Sequence, residues 1–384
     1  MTYLEVVKTA KKKDKSMIIP YEDNLEIGYL SRIFDRNRIS NCYKFFWFKA
    51  ILELMSKEKT VLSYDELITE MITDAWYMVI EYKLRLGPCN TVDNLEEVVK
   101  YLYSDLYEER IRSTEGKEKL RTLLKNESDR RFIDYKNKLT NNVPYCLQSV
   151  FYPFIKDPNK NKIDLFNQEE RLLYYFSEFN KLQTTIRINE EWIDYLLRNK
   201  EILIAWTRYN LINYLQDRNP SVPGIADKIL PPTERKLTRV TRYWNAIIEV
   251  DPSLTDIYEK ELLKDVSISI DHFVPWQYVA HDELWNLSPT SRSINSKKSN
   301  NLPNWDTYFY ELALIEYKAY QLSFSNSLVA KEFKLCADYH LNNPEIRNAL
   351  YSSGLNEEVF KERLYNVIRP VYESAKNCGF REWC

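Results

Sequence analysis

The stretch VSISIDHFVPWQYVAHDELWNLSPTSRSINSKKSNNLP, residues 266–303, decides how this chain is read. Residues 267–270 alternate polar and apolar side chains, as a half-buried strand does, and run into Asp271 and His272. Pro275 stops further pairing, because it has no N–H to donate. A loop of mixed polar and aromatic residues follows. Residues 284–287 read as a second short strand, and Pro289-Thr290 opens a helix that carries Asn295 and Lys298. The predicted local order is strand, loop, strand, helix.

The residue types in this order suit phosphodiester hydrolysis. A hard divalent cation takes oxygen ligands, and a carboxylate with an amide carbonyl supplies two of them. Asp271 and Asn295 are those candidates. His272 is the candidate general base, since imidazole changes charge near neutral pH. Neighbouring strand residues point to opposite faces, so the strand end must bend for Asp271 and His272 to serve one phosphate. Asn286 can tie down the loop and orient the imidazole. Lys298 lies three residues after Asn295, on the same helix face, where a cation offsets developing negative charge.

With those residues in place, the stretch resembles the HNH, or ββα-metal, endonuclease superfamily in the variant whose last His is an Asn. His272 stands 14 residues before Asn286 and 23 before Asn295. Those separations, the D-H-x-V-P start and the N-x-x-K-S-x-x-x-P end resemble the HNH domain of RNA-guided CRISPR nucleases. The W-N-L-x-P form around Asn286 is similar to stand-alone bacterial HNH endonucleases. The resemblance implies one Mg²⁺ or Mn²⁺ held by Asp271 and Asn295, with His272 as base. It also implies Asn286 as the structural middle residue and Lys298 as a phosphate-contacting lysine. Its implied substrate is double-stranded DNA and its implied setting is bacterial anti-phage defence or restriction. A partner protein, an activating ligand or self-assembly would restrain the nuclease. Many superfamily members carry zinc-binding cysteines beside the finger. This chain has none there, so neighbouring helices are expected to brace it.

Outward from that stretch, composition sets the frame. The chain has 384 residues and a net charge of −2, with only 6 glycines. So few glycines disfavour hairpin-rich folds and phosphate-cradling loops, and the expected class is mainly α. A strongly basic nucleic-acid coat is excluded, which leaves local patches. Arg292 and Lys297 are candidate phosphate contacts. Lys236, Arg239 and Arg242, with Arg235 before them, form a candidate stripe. Asp282 and Glu283 fit either metal assistance or an exposed turn, and His281 and His340 read as surface and structural. The six cysteines include no C-x-x-C pair, so a structural zinc is not expected, and reduced thiols of a cytoplasmic protein are. The N-terminus lacks the apolar core of a signal peptide, and no run of about 18 apolar residues predicts a membrane span.

Along the chain, helices are expected from Ser40-Asn41 through Leu54, from Ser63 toward Gly87, and from Asp93 to about Tyr107. Ser63 and Glu66 are spaced for a capping box. The charged residues 108–140 read as a solvated helix face, and Asn141–Pro144 as a break. Short strands are expected at 172–175 and 184–188, then one long helix at 190–216. The prolines and glycine of 218–225 suggest a boundary. Three parts follow: a helical region 1–225 for DNA positioning, sensing or partner binding, an HNH domain 226–310 packed among helices, and a helical segment 311–384. A helical regulatory or scaffold subunit with a vestigial finger, and an RNA-cutting nuclease, remain the alternatives.

Overall fold

The computed structural model describes residues 19–106, 116–141, 147, 162–169, 171–231, 235 and 237–383. The expected end of a helix at Tyr107, the break at 142–144 and the candidate Lys236 lie outside the described residues. The chain is mainly α and divides into two compact units, 1–220 with 229–232, and 221–228 with 233–384.

In the first unit, α1 (Ile27–Leu30) precedes α2 (Tyr43–Leu54), β1 (Val61–Ser63) and α3 (Tyr64–Ile80). Ser63 caps α3 as its spacing predicts. Its Oγ accepts from Glu66 N at 3.2 Å and its own N–H reaches Glu66 Oε2 at 3.1 Å. Nearly every residue of α3 is buried. Then come α4 (Asn94–Tyr101), a π-helical turn at Leu102–Leu106, α5 (Gly116–Asn126), α6 (Arg130–Thr140) and α7 (Lys162–Asn167). Strands β2 (Tyr174–Phe176) and β3 (Thr185–Ile188) join β1 in an antiparallel sheet of order β1-β3-β2.

Two expectations change here. The stretch 190–216 is not one helix but two, α8 (Glu190–Arg198) and α9 (Lys200–Arg218). The Asn199 side chain donates to Tyr195 O at 2.9 Å and closes α8 before α9 starts. The charged helices α5 and α6 are also not simply solvated. Arg121 grips buried Glu70 through Nε at 2.6 Å and Nη2 at 2.9 Å. Burial pushes the Glu70 carboxyl up, but Arg121 and Lys117 outweigh it and hold it at about 2. Lys136, also buried, donates to Asp65 and to Thr69 Oγ1.

The second unit holds α10 (Thr238–Val250), β4 (Ile268–His272), α11 (Trp276–Val279), β5 (Leu287–Ser291) and α12 (Arg292–Lys298). After them come β6 (Leu302–Pro303), α13 (Trp305–Ser325), α14 (Ser327–His340), α15 (Pro344–Leu350), α16 (Glu357–Asn377) and β7 (Glu382–Trp383). The second strand of the hairpin starts later than expected. Residues Leu284–Asn286 form a 3-10 turn, and Pro289 lies inside β5 rather than opening a helix. A two-stranded ladder has an outer edge that tolerates proline, and Ser291 caps α12 instead, accepting from Ile294 N. One hydrophobic core runs from Val240 and Trp244 through Phe273, Leu287 and Ile294 to Leu312, Phe360 and Ile368. The finger is therefore braced by helices on both sides in sequence. Trp244 Nε1 donates to Leu287 O at 3.1 Å, and Tyr372 OH donates to Pro303 O at 2.8 Å. Cys336 is buried and Cys378 half-buried, both as free thiols. Among the described residues, no helix is long and apolar enough to cross a membrane.

Candidate active site

Register places the chemistry. In the β4–β5 ladder Asp271 faces Ser288, His272 faces Leu287, and Ser269 faces Thr290. Opposed residues share a face and alternate residues do too, so Asp271, Ser269, Ser288 and Thr290 line one side of the hairpin. Helix α12 closes over that side. Asn295 Nδ2 donates to Ser269 Oγ at 2.8 Å and to Ile270 O at 3.1 Å. One turn later, Lys298 Nζ donates to Asp271 Oδ1 at 3.0 Å and to the His272 carbonyl at 2.8 Å. The spacing of Asn295 and Lys298 thus brings both onto the strand that ends in Asp271.

Asp271 is buried and held from a third direction by Tyr258, whose hydroxyl donates to Oδ2 at 2.6 Å. A carboxylate has about four lone-pair positions, so one proton donor at each oxygen leaves room for a cation. Asn295 commits its amide hydrogens to the strand, and among the described residues no hydrogen bond reaches its carbonyl oxygen. The Ser288 and Thr290 hydroxyls on the same face are buried without partners. A carboxylate, a free amide oxygen and two orphaned hydroxyls in one seam are a donor set that fits a small hard cation. No cluster of three or more His, Cys, Asp or Glu able to hold a metal occurs among the described residues, so such an ion would rely on Asn295 and on water or phosphate oxygens. Lys298 is fully buried in this seam. Its ammonium serves Asp271 and the His272 carbonyl, and it meets no surface where a phosphate could sit. Burial lowers its pKa and the Asp271 charge opposes that.

His272 is also buried. Its Nε2 lies 2.8 Å from Asp282 Oδ1. Arg235 Nη1 lies 3.1 Å from each ring nitrogen and 3.3 Å from Asp282 Oδ1. Burial drives the imidazole down to about 4, with the Asp282 hydrogen bond resisting and the Arg235 charge assisting. At neutral pH the ring is therefore uncharged, the form a base requires. Donation from Nε2 to Asp282 leaves the lone pair on Nδ1. The Asp271 charge also reaches the ring, although strand alternation points the two side chains to opposite faces.

Asn286 is fully buried and clamps the turn after His272. Its Oδ1 accepts from Val274 N and its Nδ2 donates to Val274 O, both at 2.8 Å. The clamp acts on backbone, and no bond from Asn286 to the imidazole is present among the described residues. That task falls to Asp282, which the sequence reading placed in an exposed turn or beside a metal. Asp282 is itself fixed, because its carbonyl meets His340 Nδ1 at 2.7 Å. Glu283 turns away and accepts from Asn342 N at 3.0 Å. Tyr258 carries no spacing signal in the sequence.

The candidate nucleic-acid contacts scatter. Arg292 and Lys297 are exposed on α12, and Lys297 pairs with Glu259 at 3.3 Å. Arg242 is exposed on α10. Arg239 is engaged elsewhere, donating to Leu335 O at 3.1 Å with its guanidinium 3.8 Å from the Tyr339 ring centre. No curated protein and no solved structure matches the chain. Residues 253–304 match the family model described as HNH endonuclease. That span covers Tyr258, the β4–β5 hairpin and α12, and the finger it forms belongs to the HNH nuclease superfamily.

Proposed function

We propose that this chain is a divalent-cation-dependent DNA endonuclease that hydrolyses phosphodiester bonds. The observation that carries the reading is the seam that joins Asp271 and the free Asn295 carbonyl to a strand ending in a neutral, Asp282-bonded His272. Asp271 and Asn295 would hold one Mg²⁺ or Mn²⁺, which when bound polarises the phosphate and stabilises the leaving oxygen. His272 Nδ1 takes the proton of the attacking water, and Asp282 keeps the other ring nitrogen protonated. Asn286 holds the turn that aims the ring. Lys298 orients the Asp271 carboxylate from within the core. Arg292 and Lys297, with Arg242 on α10, are the exposed cations available to the DNA backbone.

The test is nicking of supercoiled plasmid in Mg²⁺ or Mn²⁺, with RNA digested alongside. Wild-type cleavage that His272→Ala abolishes supports the reading, and full activity in that variant would falsify it. Preference for RNA moves the substrate and keeps the chemistry. A role in anti-phage defence or restriction, with a partner or ligand as trigger, goes with this reading on the strength of the resemblance.

The deep burial of Asp271, His272 and Lys298 favours one other reading, a regulatory subunit with a silent finger. Mg²⁺ and Mn²⁺ titrations of wild type and Asp271→Asn separate the two. No metal binding by either protein and no cleavage of either nucleic acid selects the silent finger.

A further inference from the structure

The resemblance gives the phosphate contact to Lys298, but Lys298 is sealed in the core with its ammonium committed to Asp271 and the His272 carbonyl. A phosphoryl oxygen that gains charge beside His272 needs another cation. Arg235 stands there. Its Nη1 lies 3.1 Å from both ring nitrogens of His272 and 3.3 Å from Asp282 Oδ1. Its guanidinium also sits 5.1 Å from the Trp276 ring centre. Among the described residues, no other lysine or arginine side chain hydrogen-bonds to the imidazole.

These hydrogen bonds hold the guanidinium by one nitrogen. A guanidinium has five N–H donors in a planar fork, and Nη1 supplies two. Among the described residues no hydrogen bond reaches Nε or Nη2 of Arg235, and neither atom is sealed from solvent. The side chain as a whole is about one third exposed. Nε–H and one Nη2–H run parallel, the arrangement that takes two oxygens of one phosphate. Asp282 fixes where that edge lies. Its Oδ1 holds His272 Nε2 at 2.8 Å as well as Arg235 Nη1, so the base and the fork hang on one carboxylate oxygen.

We propose that Arg235 is a catalytic residue that receives the scissile phosphate through its free Nε–Nη2 edge, a role that rests on the nuclease reading. In the hydrolysis the water oxygen bonds to phosphorus and its proton passes to His272. The bond to the leaving oxygen breaks with its electron pair, and solvent supplies that oxygen with a proton. Negative charge grows on the two non-bridging oxygens, and the fork stabilises it there. Arg235 lies before the matched span 253–304, so the flanking chain, not the finger, supplies this cation.

The test uses the full chain and the variants Arg235→Ala and Arg235→Lys, with folding checked by circular dichroism. Plasmid nicking in Mn²⁺ gives kcat and KM for each. Arg235→Ala is also assayed with guanidinium chloride well below denaturing concentration, and with sodium chloride at equal ionic strength. The expected loss in Arg235→Ala is about 10²–10³-fold in kcat, with KM nearly unchanged. Arg235→Lys should recover only a minor part, because an ammonium cannot form the fork. Guanidinium, and not sodium, should speed Arg235→Ala while leaving the wild type no faster. Wild-type kcat in either variant overturns the assignment. A loss confined to KM overturns it too and makes Arg235 a groove contact. A loss that guanidinium does not relieve also overturns it and traces the effect to disturbed placement of His272 and Asp282. The nuclease reading survives each of those results. Failure of the wild type itself to cut DNA or RNA sinks that reading, and this role with it.

Discussion

Lys298 Nζ lies 3.0 Å from Asp271 Oδ1, with the lysine side chain wholly buried and the aspartate nearly so. Two desolvated charges face each other at the centre of the finger. Removing one partner of such a pair strands the other, at a cost of about 3–5 kcal/mol, whereas removing both costs far less. Lys298→Met should therefore destabilise the protein by about that amount. Asp271→Asn/Lys298→Met should recover most of the loss. Urea denaturation of the two single variants and the double variant measures the coupling, and strict additivity would refute the pairing.

Asp282 should act on the rate rather than on substrate binding. It touches the ring nitrogen that His272 does not use as a base, at 2.8 Å. Asp282→Ala should lower kcat within the roughly 10²–10⁴-fold range of general-base catalysis and leave KM nearly unchanged. Asp282→Asn keeps an acceptor and should restore part of the rate. A change confined to KM would remove Asp282 from this role.

Asn286 should matter first to stability. Its side chain satisfies both polar groups of the Val274 backbone in a fully buried setting. An orphaned buried group costs about 1–3 kcal/mol. Asn286→Ala should lose at least that much in chemical denaturation. Any surviving activity should fall as well, because the turn that aims His272 loosens. Unaltered stability would argue against the clamp.

Glu316 on α13 is buried, its Oε1 has no partner, and burial holds its pKa well above the ordinary value of 4.5. A raised folded value sets the sign. The contribution to stability is fully present below the unfolded value and is lost as pH rises through the folded one. The wild type should therefore weaken from mildly acidic toward alkaline pH at this site. Glu316→Met should be more stable than wild type by about 1–3 kcal/mol at pH 8, with the gap narrowing toward pH 5. Melting curves across that range check it, and a gap that ignores pH counts against the buried carboxyl.

The finger was legible in the sequence because it is local. Asp271, His272, Asn295 and Lys298 lie on one strand and one helix of a continuous stretch, where spacing alone decides which residues can meet. The capping box at Ser63 and Glu66 was legible for the same reason. The start of β5 was not, because pairing with β4 and the cap at Ser291 outweighed the local signal of Pro289. Nor was the pairing of Arg121 with Glu70, since two charges far apart in sequence read as solvent-exposed until packing brings them together and excludes water.

The sequence by itself determined that this protein carries an HNH finger and where along the chain it lies. Tertiary structure alone decided the company its side chains keep. Tyr258 stands on Asp271, Asp282 on Nε2 of His272 and Arg235 against both ring nitrogens, while Lys298 is withdrawn into the core. Those relations depend on burial and on contacts between loops, which no periodicity encodes. Through desolvation and close charges they also set whether the base is neutral.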